Sequence, residues 1–372
     1  MTRHVGAWIR YGDPIEDREI AEAVERYSVA ILQPWEIDAT RRLKEARPDM
    51  VVLQYRCLSS VRDYEPGPIF SSGVSAVEAE AHDADLAPED PARWFATRTD
   101  GSRIRWSGYG GHWQQRHWLP DYRQRWIDNV VAALRDSPFD GVMADNDVFD
   151  DYYSLDPPLG DGTTMADIRD SLDEFVPQVG RALRSIGKRL VPNVAESRRD
   201  PGRWARHGAY GGAFEECWLS WSAGVFLDPH DQLRQFEQVA PDAGPDVTVV
   251  RIASDGTGGR EAHPSFRYGL AAWWIAGGGR PGGFAATAHD GYSVSPWIEE
   301  MNWDLGAPLG PMRGREGRRH RTFENGWAGL HLGPEGSPPL RFRPPRGCVD
   351  ADGRPARSLV LRPHEGAVLR RA

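Results

Sequence analysis

Residues 139–147 read FDGVMADND, a short apolar run that closes on Asp145, Asn146 and Asp147. A run of this length bounded by turn signals reads as a buried strand of a parallel sheet. Helical patterns flank it: Asp121–Leu134, with Trp126, Val130 and Leu134 in register, and Ile168–Ile186. The same unit recurs outward in both directions. Upstream, strands are expected at Val5–Ile9, Ser28–Gln33 and Met50–Tyr55, with helices at Ile15–Tyr27 and Asp38–Ala46. Downstream, strands are expected at Arg189–Val194, Gly211–Trp218, Val247–Ala253 and Gly282–Thr287. Between these lie helices at Pro201–Ala209, His230–Val239 and Phe266–Ala276, the last almost wholly apolar.

Eight strand–helix steps at this rhythm predict an α/β fold, a (β/α)8 TIM barrel over residues 1–300. An open doubly wound sheet would carry a Gly-rich phosphate turn after its first strand, and Arg10-Tyr11-Gly12-Asp13-Pro14 is not one. The excursion Ser59–Pro120 after the third strand is too long for an ordinary connection and reads as a loop insertion. Residues 301–372 turn to Pro, Gly and Arg with short alternating runs, at Thr322–Leu332, Pro339–Arg343, Ser358–Leu361 and Ala367–Leu369. They are expected to form a small C-terminal β-element packed on the barrel.

Composition narrows the partners. The 372 residues are 40% hydrophobic and 27% charged, and the net charge of −9 disfavours nucleic acid and anionic membrane as partners. The basic run Arg313–Arg321 is short and is expected to be a solvated loop. Cys57, Cys217 and Cys348 have no metal-ligand spacing, so neither a zinc site nor a disulfide framework is expected. No apolar run is long enough to span a membrane. No signal-peptide core is visible, so the chain reads as cytoplasmic, although a secreted enzyme lacking its leader would look the same. No oligomeric state can be read from the sequence, and no cofactor is expected.

A barrel carries its chemistry at the carboxyl ends of its strands. Those ends hold Arg10 and Asp13; Gln33, Trp35 and Glu36; Gln54, Tyr55 and Arg56; Asp145 and Asp147; Asn193 and Glu196; Glu215, Glu216 and Trp218; Arg251 and Asp255; and His289 and Asp290. Acids, amides and aromatics at one mouth suit a saccharide: carboxylates protonate a leaving oxygen and attack or activate water, and aromatic faces stack on sugar rings. Asp145 lies four residues after Gly141, and Glu216 four after Gly212. In a regular strand, a spacing of four returns the side chain to the same face. Asp145 is therefore assigned as nucleophile or base and Glu216 as general acid. Glu196 and Asp255 are the alternatives for either role, and Glu215 is expected to point to the other face. Arg10, Trp35, Tyr55, Asp147, Asn193, Trp218, Arg251 and His289 are expected to contact substrate. Fifteen tryptophans are present, and Trp106, Trp113 and Trp118 fall in a Gly-rich polar stretch where stacking subsites are expected. A cation site of Asp145, Asp147, Asp150 and Asp151 lacks the glycine and terminal glutamate of a calcium loop. A Ser–His–Asp hydrolase lacks its GxSxG elbow.

FDGVMADND (Phe139–Asp147), GAFEECW (Gly212–Trp218) and RTFENGWAGLHL (Arg321–Leu332) resemble hypothetical glycosyl hydrolase family 15 and, more distantly, the family 114 endo-α-1,4-polygalactosaminidases. The resemblance covers most of the barrel and the start of the tail. It implies a barrel glycosidase with an aspartate on the fourth strand, matching Asp145, and an acid on a later strand, which Glu216 fits best. The long third loop and the Asp-Asn-Asp after the fourth strand depart from the family 114 pattern. The expected function is hydrolysis of glycosidic bonds in an oligo- or polysaccharide by two carboxylates. The competing readings are a carbohydrate-binding barrel without activity and a barrel enzyme of another class, a metal-dependent hydrolase or a lyase.

Overall fold

A computed structural model describes residues 5–12, 14–65, 67–240, 246–278, 280–288, 291–292 and 294–372. Eight parallel strands form a closed barrel: β1 (Gly6–Arg10), β2 (Tyr27–Leu32), β3 (Val51–Cys57), β4 (Gly141–Asp147), β5 (Arg189–Val194), β6 (Gly212–Glu215), β7 (Val247–Ala253) and β8 (Gly282–Thr287). They close in the order β1-β8-β7-β6-β5-β4-β3-β2, with helices between them, so the (β/α)8 expectation holds. The helices are α1 (Asp17–Arg26), α2 (Ile37–Ala46), α3 (Ala76–Asp83), α4 (Pro120–Leu134), α5 (Met165–Ser185), α6 (Arg203–Gly208), α7 (Pro229–Val239) and α8 (Pro264–Gly277). A 3-10 turn at Glu299–Asn302 follows β8. The chain divides into two compact units, one of Met1–Ile31, Glu45–Val51 and Phe214–Ala372, the other of Leu32–Lys44 and Val52–Ala213.

In the second of these, β4 is anchored at its foot. Asp140 takes Lys44 Nζ at 2.9 Å and the Val52 N–H at 2.8 Å, a structural role at the amino-terminal end. Gly141 is required by close approach, because a Cβ there would stand 2.1 Å from the Arg189 carbonyl oxygen of β5. Helix α5 starts on a capping box between Thr164 and Asp167. It buries Ile168, Leu172, Phe175, Val179 and Leu183, one stripe at helical spacing. The insertion after β3 is a small folded unit rather than a loose loop. Ser60–Arg62 pairs antiparallel with His112–Gln114, helix α3 follows Ser72, and Trp94, Phe95, Ile104 and Trp106 are buried.

In the first unit, α8 buries nearly every residue. A helix apolar on all sides needs cover on all sides, and the C-terminal strands supply it. Strands Arg318–Phe323, Gly326–His331, Gly366–Arg371 and Cys348–Val349 form one antiparallel sheet in that order. Phe323 packs edge-on to Trp274, and Arg321 Nη1 donates to the Ile275 carbonyl at 3.1 Å. The expected single strand over Thr322–Leu332 is instead a hairpin. Phe323 pairs with Gly326, so Glu324-Asn325 is the two-residue turn and Gly326 opens the second strand. The basic run likewise departs from expectation, since its second half is the half-buried strand Arg318–Phe323.

Candidate active site

Asp145 is the one half-exposed residue among the buried residues of β4. Three donors converge on its carboxylate: Tyr55 Oη to Oδ2 at 2.7 Å, Asn193 Nδ2 to Oδ1 at 2.9 Å, and the Asn146 N–H to Oδ1 at 2.9 Å. Tyr55 on β3 and Asn193 on β5 thus hold Asp145 from both neighbouring strands, and three donors suit a carboxylate kept ionised. Tyr55 is held in turn. Its hydroxyl accepts from Arg62 Nη2 at 2.8 Å, and the guanidinium lies 5.0 Å from the ring centroid. Glu65 and Ser71 accept from the other side of Arg62. Arg62 and Glu65 lie in the insertion, where no periodic pattern marks them.

Glu216 stands just past the end of β6, in a turn, and is half-exposed. The spacing from Gly212 therefore does not determine its direction, because strand alternation has ended at Glu215. Tyr292 Oη donates to Glu216 Oε1. The Tyr292 phenol is raised well above its ordinary range by burial and by the Glu216 charge. Arg251 lies 5.2 Å from the centroid of its ring, and Tyr11 packs against it at 5.2 Å. The arrangement at Asp145 is repeated: an acid, a tyrosine hydroxyl, and an arginine over the tyrosine ring. Arg251 is fully buried on β7, its Nε donating to Thr287 Oγ1 at 2.8 Å and Nη2 to the Ala288 carbonyl at 2.7 Å. Tyr292 was missed by sequence reasoning because it follows β8 in an irregular segment.

Several expected substrate contacts are corrected. Asn146 has φ +67°, and this single left-handed residue breaks the alternation of β4. Asp147 therefore does not share the face of Asp145. It is fully buried against α6, where Arg203 Nη2 donates to Oδ1 at 2.6 Å and His207 Nδ1 bonds Oδ2. His207 Nε2 bonds Asp173 on α5 at 2.8 Å. Burial disfavours the imidazolium, but the Asp147 charge and both hydrogen bonds outweigh it and raise His207 to about 9. Burial also pushes Asp147 upward, but the His207 and Arg203 charges prevail and hold it below its ordinary value. Trp218 is fully buried, its indole N–H on the Gly269 carbonyl of α8, so it belongs to packing rather than to a subsite. Trp106 is 4% exposed and stacks on Tyr153 at 3.8 Å, again as packing.

The alternative acids are engaged elsewhere. Glu196, itself at φ +55°, is buried and takes Arg198 at 2.8 Å. Its carboxyl is raised by burial against the opposing charges of Arg198 and Arg199. Asp255 is exposed and closes a turn on the Thr257 N–H and hydroxyl at 3.0 and 2.7 Å. Glu215 Oε1 accepts from the Cys217 N–H at 3.1 Å. Arg10 on β1 is buried on Glu19 at 2.8 Å. Among the aromatics, Trp35 keeps 39% of its surface in solvent. Trp113 and Trp118 are half-exposed, their indoles on Asp63 and Asp161. His289 and the strand-end Asp13 and Asp290 lie outside the described residues. Among the described residues no cluster of His, Cys, Asp and Glu could hold a metal ion, and no helix is long and apolar enough to cross a membrane.

Known proteins bear on this site. No curated protein matches the chain. Among solved structures, the cycloalternan-degrading enzyme of Trueperella pyogenes aligns with TM-score 0.52 at 12% identity, over 99% of this chain and 62% of that one. The debranching enzyme of Nostoc punctiforme aligns with TM-score 0.50 at 10% identity, over 99% and 98%. Aspergillus fumigatus Ega3, solved with galactosamine, aligns with TM-score 0.46 at 12% identity, over 80% and 96%. At such identities the first two speak for the fold. Membership rests on sequence: the family model matches residues 44–327, well over half the chain, and spans β3 to β8 with both half-exposed acids. The chain belongs to hypothetical glycosyl hydrolase family 15, and is by that membership a glycoside hydrolase.

Proposed function

We propose that the protein hydrolyses glycosidic bonds of an oligo- or polysaccharide with Asp145 and Glu216 as its two carboxylates. The observation that carries this reading is the repeated arrangement around them. Asp145 lies in β4 and Glu216 just past β6, and each remains half-exposed and accepts a hydrogen bond from a tyrosine whose ring lies beside an arginine. The other acids weighed for these roles are tied into buried ion pairs or an exposed turn.

The division of labour follows from the donors. Three hydrogen bonds into Asp145 favour its anion, which attacks the anomeric carbon or removes a proton from the attacking water. Glu216 then protonates the departing glycosidic oxygen, and Tyr292 orients the carboxyl that does so. Tyr55 and Asn193 keep Asp145 in one rotamer, which limits the reorganisation needed in the transition state. Trp35, with its exposed face, is the aromatic best suited to stacking on a sugar ring.

The test pairs a panel of α- and β-linked oligo- and polysaccharides, read by release of reducing ends, with two variants. Asp145→Asn and Glu216→Gln should each lower turnover by about a thousandfold or more while binding is kept. Near-full activity in Glu216→Gln removes that residue from the role. Near-full activity in both variants ends the two-carboxylate reading.

A further inference from the structure

A cavity of about 400 Å3 is lined by Arg318, His320 and Trp327 of the C-terminal sheet and by Arg341, Phe342 and Arg343 at a separate two-stranded pair, Leu340–Phe342 with Leu359–Leu361. Arg318 and His320 are two apart on one strand and so share a face. Trp327, on the neighbouring strand, pairs with Thr322 and lies on that same face. Its indole runs along the strand over Gly329, where a Cβ would stand 2.1 Å from the ring. Glycine is needed there for the indole to lie flat, and His320 then stacks 6.1 Å from it at 28°. Phe342 meets Trp327 at 5.9 Å, and both are held in the small core with Cys348, Leu361 and Leu369. Trp327 and Phe342, each 2% exposed, thus fix the wall of the cavity through the core behind it. Arg341 and Arg343 flank Phe342 on the opposite parity and are exposed at its rim.

Several arginines of the chain meet carboxylates, as Arg123 meets Glu174, Arg203 meets Asp147 and Arg267 meets Glu300. Among the described residues, Arg318, Arg341 and Arg343 have no carboxylate partner; Arg318 lies 5.4 Å from the Phe342 ring, and Arg341 reaches only Ser358. Two polar atoms are also buried with no partner, Arg318 Nε and His320 Nδ1. A solvated basic surface leaves its nitrogens in water, whereas these two are buried and find no partner within the chain. A chain of net charge −9 thus gathers three arginines and a histidine around one concavity.

We infer that this cavity binds an anionic sugar, one whose carboxylate or sulfate the three arginines receive. Guanidinium forks match the paired oxygens of such groups. The volume lies in the range of small-molecule sites, so a bare oxyanion leaves most of it unfilled. A sugar acid fills it, an occupant drawn from the substrate class proposed above, on which this inference rests. The site lies among the C-terminal strands and uses none of the residues assigned to hydrolysis.

Titration calorimetry on the full chain tests this with three probes: digalacturonate, the neutral digalactose of the same length, and inorganic sulfate. The reference variant is Arg341→Gln with Arg343→Gln, both exposed and outside the proposed catalytic residues, so hydrolysis should be unchanged. Digalacturonate is expected to bind at least tenfold more tightly than digalactose and sulfate, and the double variant should lose at least tenfold of that affinity. A second readout needs no variant, since the His320 imidazole resonances should shift on adding digalacturonate. Equal affinity for the two disaccharides, unchanged binding by the double variant, or an unmoved His320 overturns the proposal. Sulfate binding as tightly as digalacturonate also overturns it, because the sugar then contributes nothing.

Discussion

Replacing His207 by glutamine should flatten the alkaline side of the protein's stability profile. His207 is buried between Asp147 and Asp173, and its imidazolium is held to about 9 against an ordinary value of 6.5. Because the folded value is the higher one, the stabilisation is fully present below 6.5 and is lost as pH rises through about 9. At about 1.4 kcal/mol for each tenfold change in proton affinity, the gap is worth about 3 kcal/mol. The measurement is urea unfolding of the wild type and His207→Gln at pH 6 and at pH 9.5. The wild type should lose about 3 kcal/mol more than the variant between these pH values. The variant itself should be less stable at pH 6 by roughly 3–5 kcal/mol, since it leaves Asp147 buried with one cation instead of two. Should it fail to fold, the His207 resonances of the wild type carry the same information, staying those of the imidazolium up to about pH 8. Parallel pH profiles for the two proteins, or an imidazole that titrates near 6.5, would refute the reasoning. The functional stake is direct, because Asp147 closes the strand that presents Asp145.

Two further outcomes follow from single contacts. Tyr55→Phe removes one donor from Asp145 and leaves Arg62 facing a hydrocarbon edge, so kcat should fall by roughly 10- to 100-fold with KM little changed, the effect of a hydrogen bond to a charged group; steady-state kinetics on the substrate found in the panel decides it, and a wild-type kcat would detach Tyr55 from Asp145. Gly141→Ala drives a methyl into the Arg189 carbonyl and should cost about 1–3 kcal/mol or more, read as a lowered denaturant midpoint.

The barrel was legible because its signal is repeated. Runs such as MVVLQY at Met50–Tyr55 are buried on both faces, so apolarity alone marks them, and the eight strands fall within a few residues of expectation. Asp145 was legible for the same reason, since it ends such a run. What failed was inference of direction. Alternation carried Asp147 to the wrong face because one residue, Asn146, takes a left-handed conformation that composition does not announce. It misjudged the basis for Glu216 because β6 stops at Glu215. Tryptophan content said nothing about which indoles face solvent: Trp106 and Trp218 are packing, whereas Trp35 is open. Arg62 sits in a three-residue strand of the insertion and Tyr292 in an irregular segment, too short or too irregular for any period to betray a side chain whose position long-range contacts set.

The covering of α8 also bears on how this enzyme can be cut and joined. A change of composition near residue 300 looks like a place to divide the gene, but the physical seam is elsewhere. Removing the sheet would uncover Trp274, Ile275 and Ala271, a helix surface with almost nothing polar on it. A barrel truncated there should be recovered as insoluble material rather than as a smaller enzyme. Grafting onto other proteins therefore requires barrel and sheet to travel together. New domains belong at the exposed turns of the sheet, such as Gly336 or Gly353, where an added Cβ would meet nothing within 4 Å.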